Sequence, residues 1–248
     1  MYEIIKQIAK NAYKIRYKSQ GHWVVGFIVE PKGKGKAPVI IYNRGGSNDF
    51  AMITEEVVKT RLQKFASWGY IVFASQYSGN DGGEGKDEMG GSDLADVLNL
   101  KKLIETHPRA DARRIGMYGI SRGGMMTYMA LRKVKWIKAV ATIAGMSDLV
   151  SMETFRLEMK GHFKRMFGGS KKEKIKRSAA YWAEEIKTPL LLQHNIFDPK
   201  VDIKDSLKVW AKAKNARLEI YKGSSHGIKE YRNDVDKKMR AWFKKYLK

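Results

Sequence analysis

The chain has 248 residues, 43% hydrophobic and 30% charged, with a formal net charge of +22 and no cysteine. This is the balance of a globular protein long enough for a full core, and it excludes a disordered or fibrous chain. No apolar run approaches the ~18 residues of a membrane span, and without cysteine there is no thiolate catalysis, disulfide or cysteine-held metal.

In chain order, Met1 to Lys18 mixes Ile4, Ile5 and Ile8 with Lys6, Lys10 and Lys14. It lacks the continuous apolar stretch of a secretory leader, so a cytoplasmic protein is expected, opening with an amphipathic surface helix. His22 to Glu30 alternates and is rich in β-formers, and Pro31 to Ala37 reads as a turn. Val39 to Tyr42 is a short apolar run of the kind covered on both faces of a sheet. After Gly45 and Gly46 comes a helix with Val57, Val58, Leu62 and Phe65 at helical spacing, closing at Gly69. Tyr70 to Ala74 is the next buried strand. Ser78 to Gly91 is a long Gly-rich acidic loop, and Leu94 to Ile104 is a helix capped by Ser92 or Asp93.

Arg114 to Tyr118 reads as a strand, Gly119 to Gly124 as a sharp turn, Met125 to Leu131 as a helix and Ala139 to Ala144 as a strand. Thr188 to Gln193 and Arg217 to Tyr221 are the last strands, with helices from Ile203 to Ala213 and from Glu230 to Lys248. This alternation predicts one domain over residues 1–248, with a mainly parallel twisted sheet and helices on both faces. Residues 147–186 break the rhythm. They are too long for an ordinary connection and combine Phe155, Met159, Phe163, Met166 and Phe167 with many basic residues, which predicts a helical lid or cap insertion.

The chemistry centres on Gly119-Ile120-Ser121-Arg122-Gly123. A glycine-x-serine-x-glycine turn between a buried strand and a helix lifts the serine clear of the sheet, and the tight bend excludes flanking side chains. A serine hydroxyl needs a base. Of the five histidines, only His226 lies in a loop after the last strand and completes the order serine, acid, histidine that the α/β-hydrolase fold uses. The acid should follow the preceding strand. Asp198 is favoured there over Asp202, whose place near a helix start suits an N-cap. The expected oxyanion donors are the backbone N–H of Arg122 and that of Gly46 or Gly45, each such donor being worth ~10²–10³ in rate. Expected substrate contacts are Arg44 and Tyr77 beside the first strand ends, with Phe155 and Met159 from the lid.

These residues resemble the catalytic domain of the prolyl oligopeptidase family, from about Ala37 to the C-terminus. The likeness rests on Gly85 to Glu88 with Gly90 to Leu94, on Gly119 to Gly124, on Tyr181-Trp182-Ala183 leading through Pro189 to His194–Asp198, and on Ser225-His226-Gly227. It implies the same triad. Two residues depart from the family pattern: Arg44 stands where members usually carry histidine in His-Gly-Gly-Pro, and Asn195 where they usually have glycine. The first departure could put a cation beside the substrate. The peptidases of the family also commonly carry an N-terminal β-propeller; here only a helix and a strand or two precede the first core strand, so a stand-alone form is expected.

The expected activity is acyl transfer to water without metal or organic cofactor, on a small-molecule ester or short peptide, with a carboxylesterase favoured over an aminopeptidase or acylaminoacyl-peptidase-like enzyme. A non-catalytic basic binding protein on the same fold is the alternative of another class. The charge itself is spread over Lys32 to Lys36, Lys171 to Lys176 and Lys204 to Lys248, interleaved with acids as solvated faces are. No nucleic-acid motif accompanies it, so only salt-sensitive, sequence-blind adhesion is expected. The charge could also favour anionic substrates.

Overall fold

Residues 2–248 are described by a computed structural model. Strands β1 (Tyr2–Ala9), β2 (Ala12–Ser19) and β3 (His22–Val29) form an antiparallel meander. The helix expected at the start of the chain is therefore a β-hairpin, with Met1 outside the described residues. In β2 the alternation is plain from Ile15 onward, with Ile15, Tyr17 and Ser19 buried and Arg16 and Lys18 exposed. Strand β1 lies at the sheet edge with Ile4 and Ile5 exposed. Lacking a buried face, it carries no period-2 signal, and its spaced isoleucines and lysines imitate an amphipathic helix.

Strands β4 (Ala37–Asn43), β5 (Ile71–Ser75), β6 (Ala110–Ile120), β7 (Ile137–Ile143), β8 (Leu190–Asn195) and β9 (Ala216–Tyr221) continue as a parallel array. The completed sheet has 9 strands in the order β1-β2-β3-β5-β4-β6-β7-β8-β9. The chain moves from β4 outward to β5 on one side, then returns to lay β6 on the other. That reversal opens a crevice at the carboxyl ends of β4 and β6, where open α/β sheets bind ligands. Register brings the ends level: Asn43 pairs with both Ser75 and Gly119, and Ile120 with Ile143.

Helix α1 (Glu55–Val57) is capped by Thr54 and runs through a π-turn, Val58–Leu62, into α2 (Gln63–Ser67). The remaining helices are α3 (Leu94–Thr106), α4 (Arg122–Lys133), α5 (Leu149–Phe155), α6 (Glu158–Phe167), α7 (Lys171–Arg177), α8 (Ile203–Lys212) and α9 (Arg232–Tyr246). Helices α2 and α9 meet one face of the sheet, where Phe65 packs on Tyr42, Tyr118 and Phe243. Helices α4 and α8 meet the other, through Thr127 on Asn43 and Ser206 on His194. None of the described helices is long and apolar enough to cross a membrane.

Two local expectations are corrected. Asp93 occupies the N-cap position of α3, but its carboxylate does not cap; it accepts from Gly90 N at 2.9 Å and from the Arg122 guanidinium at 2.8 Å. A buried cation is a stronger partner for a carboxylate than a helix-end N–H. Residues 147–186 hold α5, α6, α7 and two 3₁₀ turns, and Met159, Phe163 and Met166 face inward. Met159 is thus a core-packing residue rather than a surface open to substrate.

Candidate active site

Strand β6 ends at Ile120 and α4 begins at Arg122, so Ser121 alone makes the bend, at φ 56° and ψ −123°. Such backbone costs of order 1–3 kcal/mol for a non-glycine residue and persists only where the surroundings enforce it. Here Ser121 N donates to Ile143 O at 3.0 Å, while Ser121 O accepts from Gly124 N at 2.9 Å and Met146 N at 3.1 Å. Glycine is required on both sides for steric reasons. A Cβ on Gly119 would stand 2.3 Å from Gly123 O, and one on Gly123 would stand 2.1 Å from Asn43 O.

His226 lies in the loop between β9 and α9. Its Nδ1 is 2.8 Å and 3.1 Å from the two Asp198 oxygens, whose side chain is fully buried. Asp198 also accepts from Lys200 N at 2.8 Å and Val201 N at 3.2 Å. Burial alone would raise its pKa, but the His226 contact and these amides outweigh that and hold it below the usual carboxylate range. Asp202 does something else: it caps α8, accepting from Lys204 N. The histidine loop reaches the serine turn at Gly227, where a Cβ would lie 3.5 Å from Ile120 Cδ1. Ser121 Oγ makes no hydrogen bond to a described residue, and catalytic hydrogen bonds of this kind commonly reach full strength only in the substrate complex.

The loop after β4 stands over the serine. A Cβ on Gly45 would be 3.3 Å from Ile120 O and from Ser121 Cβ and 3.9 Å from its Oγ, a tight fit that keeps the backbone close to the serine. Gly46 has φ +69°, and a Cβ on it would meet Phe50 O at 2.0 Å. The N–H groups of Gly45, Gly46 and Arg122 donate to no other described residue. They are free to face a developing oxyanion.

The side chains of Arg44, Tyr77 and Arg122 lie beneath this loop and not in the mouth. Arg44 is 1% exposed, and its guanidinium donates to the carbonyls of Gly45, Asn48, Phe50 and Gln76. Tyr77 is wholly buried and donates to Arg44 O at 3.0 Å. The expectation that these two meet substrate is corrected: a buried guanidinium must satisfy its donors locally, and the loop carbonyls do so. Arg122 pairs with Asp87 at 2.6 and 2.7 Å and with Asp93 at 2.8 Å, and donates to Gly46 O at 2.9 Å. Asp87 in turn accepts from Asn48 N at 3.1 Å. Arg44 and Arg122 together fix both ends of the candidate oxyanion loop.

Sequence reasoning missed the second set of supports. His194 is fully buried and uses both ring nitrogens, on Ser206 Oγ at 2.7 Å and Val201 O at 2.9 Å, which holds the turn carrying Asp198. Asn195 donates to Ser225 O at 2.8 Å, and Glu230 accepts from Ser224 N and Ser225 N, so both anchor the residues just before His226. Glu230 is held down to about 2, chiefly by the Ser225 hydroxyl. The departure at Asn195 from the family's glycine was the visible signal; Glu230 offered none.

Phe50, in the loop after β4, and Phe197, next to Asp198, are each 69% exposed, as is Leu157 ahead of α6 at 79%. The Lys200 ammonium sits 5.5 Å from the Phe50 ring centre, Arg156 donates to Lys200 O, and Ser47 Oγ lies 3.2 Å from His162 Nε2. Phe155 instead lines a cavity of about 490 Å³ with Met152, Asp202 and Lys208 between α5 and α8. None of Ser121, Asp198 and His226 lines that cavity, so its size is no guide to the chemistry; hydrogen-bond geometry is.

Comparison with known proteins agrees with this architecture. Residues 56–248 match the model of the prolyl oligopeptidase family, Peptidase_S9. A Bacillus subtilis (strain 168) protein described as the uncharacterized peptidase YtmA is 31% identical over 213 residues, 84% of this chain and 81% of that protein. The Pyrococcus horikoshii acylaminoacyl peptidase structure superposes with a TM-score of 0.81 at 27% identity, over 96% of this chain but only 42% of that one. A Pyrococcus furiosus esterase shares the fold at a TM-score of 0.76 and 16% identity, over 99% of this chain and 97% of its own. The sheet is that of an α/β-hydrolase, and the chain belongs to the prolyl oligopeptidase family of serine hydrolases.

Proposed function

We propose that Ser121 is the nucleophile, His226 the general base and Asp198 the acid that orients it, in an enzyme that hydrolyses esters through an acyl-enzyme. The observation that carries this reading is the contact of 2.8 Å between the buried Asp198 carboxylate and His226, on a loop that abuts the strained Ser121 turn. With Nδ1–H donated to Asp198, His226 keeps Nε2 free as acceptor. Ser121 Oγ attacks the substrate carbonyl carbon as its proton passes to Nε2. The oxyanion accepts from the N–H of Arg122 and of Gly46 or Gly45. His226 then protonates the leaving oxygen, the acyl group stays on Ser121, and water deprotonated by the same imidazole releases the acid and restores the serine. Residues 147–186 serve as the cap that limits access.

A second reading, cleavage of an acylaminoacyl or peptide amide by the same groups, is favoured by the likeness to a named peptidase and to an acylaminoacyl peptidase. Side-by-side turnover of p-nitrophenyl esters and aminoacyl anilides separates the two, and exclusive anilide turnover would reverse the preference. Reaction with a fluorophosphonate probe tests the common core. Labelling should occur at Ser121 and vanish in Ser121→Ala with the fold intact by circular dichroism, and turnover should fall by about 10⁴–10⁶-fold. A Ser121→Ala protein that keeps its activity would end the assignment.

A further inference from the structure

Beside the candidate oxyanion loop lies a second cavity, of about 410 Å³, walled by Asn48, Lys86, Asp87, His162, Arg165 and Met166. Its cations come from two separate elements, Lys86 from the loop after β5 and Arg165 from α6, which also supplies the imidazole of His162. Neither Lys86 nor Arg165 forms an ion pair or hydrogen bond with another described residue. The carboxylate in the wall, Asp87, is already spent on Arg122 at 2.6 and 2.7 Å and on the amides of Asn48 and Met89. The cavity is therefore concave, positive and short of anions, which is how a site for a negatively charged ligand is built.

His162 reports the same field. Burial lowers its pKa first, Arg165, Arg122 and Arg156 lower it further, and Asp87 alone opposes them. The cavity also touches the machinery. Asn48 follows Gly46 by two residues, and His162 is bonded to Ser47 between them.

We propose that this cavity is an anion subsite, which takes the carboxylate or phosphate of a substrate whose scissile carbonyl lies at Ser121. The idea rests on the hydrolase reading above and gives that reading a substrate class, namely esters or amides carrying a negative group away from the bond that breaks. It also gives the net charge of +22 a local use. Anion binding should draw a proton onto His162, because a bound negative charge reverses the field that depresses it.

Two measurements test this separately. In the first, Ser121→Ala protein, which needs no turnover, is titrated with inorganic phosphate and with succinate at low salt while the His162 ring resonance is followed by NMR. A saturable shift toward the protonated position, lost in Lys86→Ala/Arg165→Ala and weakened by salt, is expected. Saturation by succinate but not phosphate identifies a carboxylate ligand, and the reverse a phosphate. In the second, kcat/KM is compared for p-nitrophenyl acetate and the free-acid p-nitrophenyl succinate. The ratio of anionic to neutral substrate should fall by about tenfold or more in the double variant, from loss of two charge-assisted contacts. No saturable shift with either anion, or a ratio equal to that of wild type, overturns the subsite. If the anions bind but Ser121→Ala hydrolyses as wild type does, the hydrolase reading fails and the site stands as an anion site alone.

Discussion

Replacing Arg122 with methionine removes the one cation that faces two buried carboxylates, whose side chains are 2% (Asp87) and 0% (Asp93) exposed. Methionine fills most of the volume, so the loss is chiefly electrostatic. Breaking a buried pair by deleting one partner costs ~3–5 kcal/mol, because the other charge is left uncompensated. At ~2–4 °C per kcal/mol for a chain of this size, Tm should drop by roughly 6–20 °C at pH 8. The pH dependence is diagnostic. Asp93 is already raised to about 6 in the wild type, burial outweighing Arg122, and loss of Arg122 raises it further. A carboxyl raised in the folded state carries its penalty in full above its folded pKa. The penalty is relieved as pH falls toward the unfolded value of ~3.9. Each further unit of elevation therefore closes the gap to wild type by about 1.4 kcal/mol between pH 8 and pH 5. Asp87 is held low in the wild type against burial chiefly by Arg122, so loss of Arg122 raises it too, and its penalty adds to the gap and is relieved in the same direction as pH falls. Thermal melts of both proteins at pH 8 and pH 5 decide it. A gap below ~1 kcal/mol at pH 8, or one that does not narrow at pH 5, would refute the electrostatic account.

Arg44→Ala should lower kcat/KM on acidic and neutral substrates alike and reduce Tm, since its guanidinium holds loop carbonyls; selective loss on acidic substrates would return Arg44 to the substrate. Glu230→Gln should slow turnover at neutral pH more than it raises KM, by loosening the residues before His226. Because Glu230 is depressed to about 2, its stabilisation is present above the unfolded ~4.3 and is lost as pH falls toward the folded value. The difference between wild type and variant in urea midpoint should accordingly close across that acid range, and a constant difference would exclude the Glu230 contacts as its source.

Most of the parallel array is legible in the sequence, because strands covered on both faces must be continuous apolar runs, as at Ile71 to Ala74 and Leu190 to Leu192. The sequence also located the Ser121 turn, since the glycines at 119 and 123 answer to contacts of 2.3 and 2.1 Å that no other residue tolerates. The edge strand β1 was illegible because nothing covers it and its pattern is unconstrained. The roles of Arg44, Tyr77, Asp93 and Arg122 were hidden for another reason. A charged residue in a loop looks the same in sequence whether it meets solvent, substrate or a partner distant in the chain. Only the folded sheet, by reversing direction at β4, brings residues 44, 87, 93 and 122 under one loop, where burial forces Arg122 onto Asp87 and Asp93 and Arg44 onto the loop carbonyls.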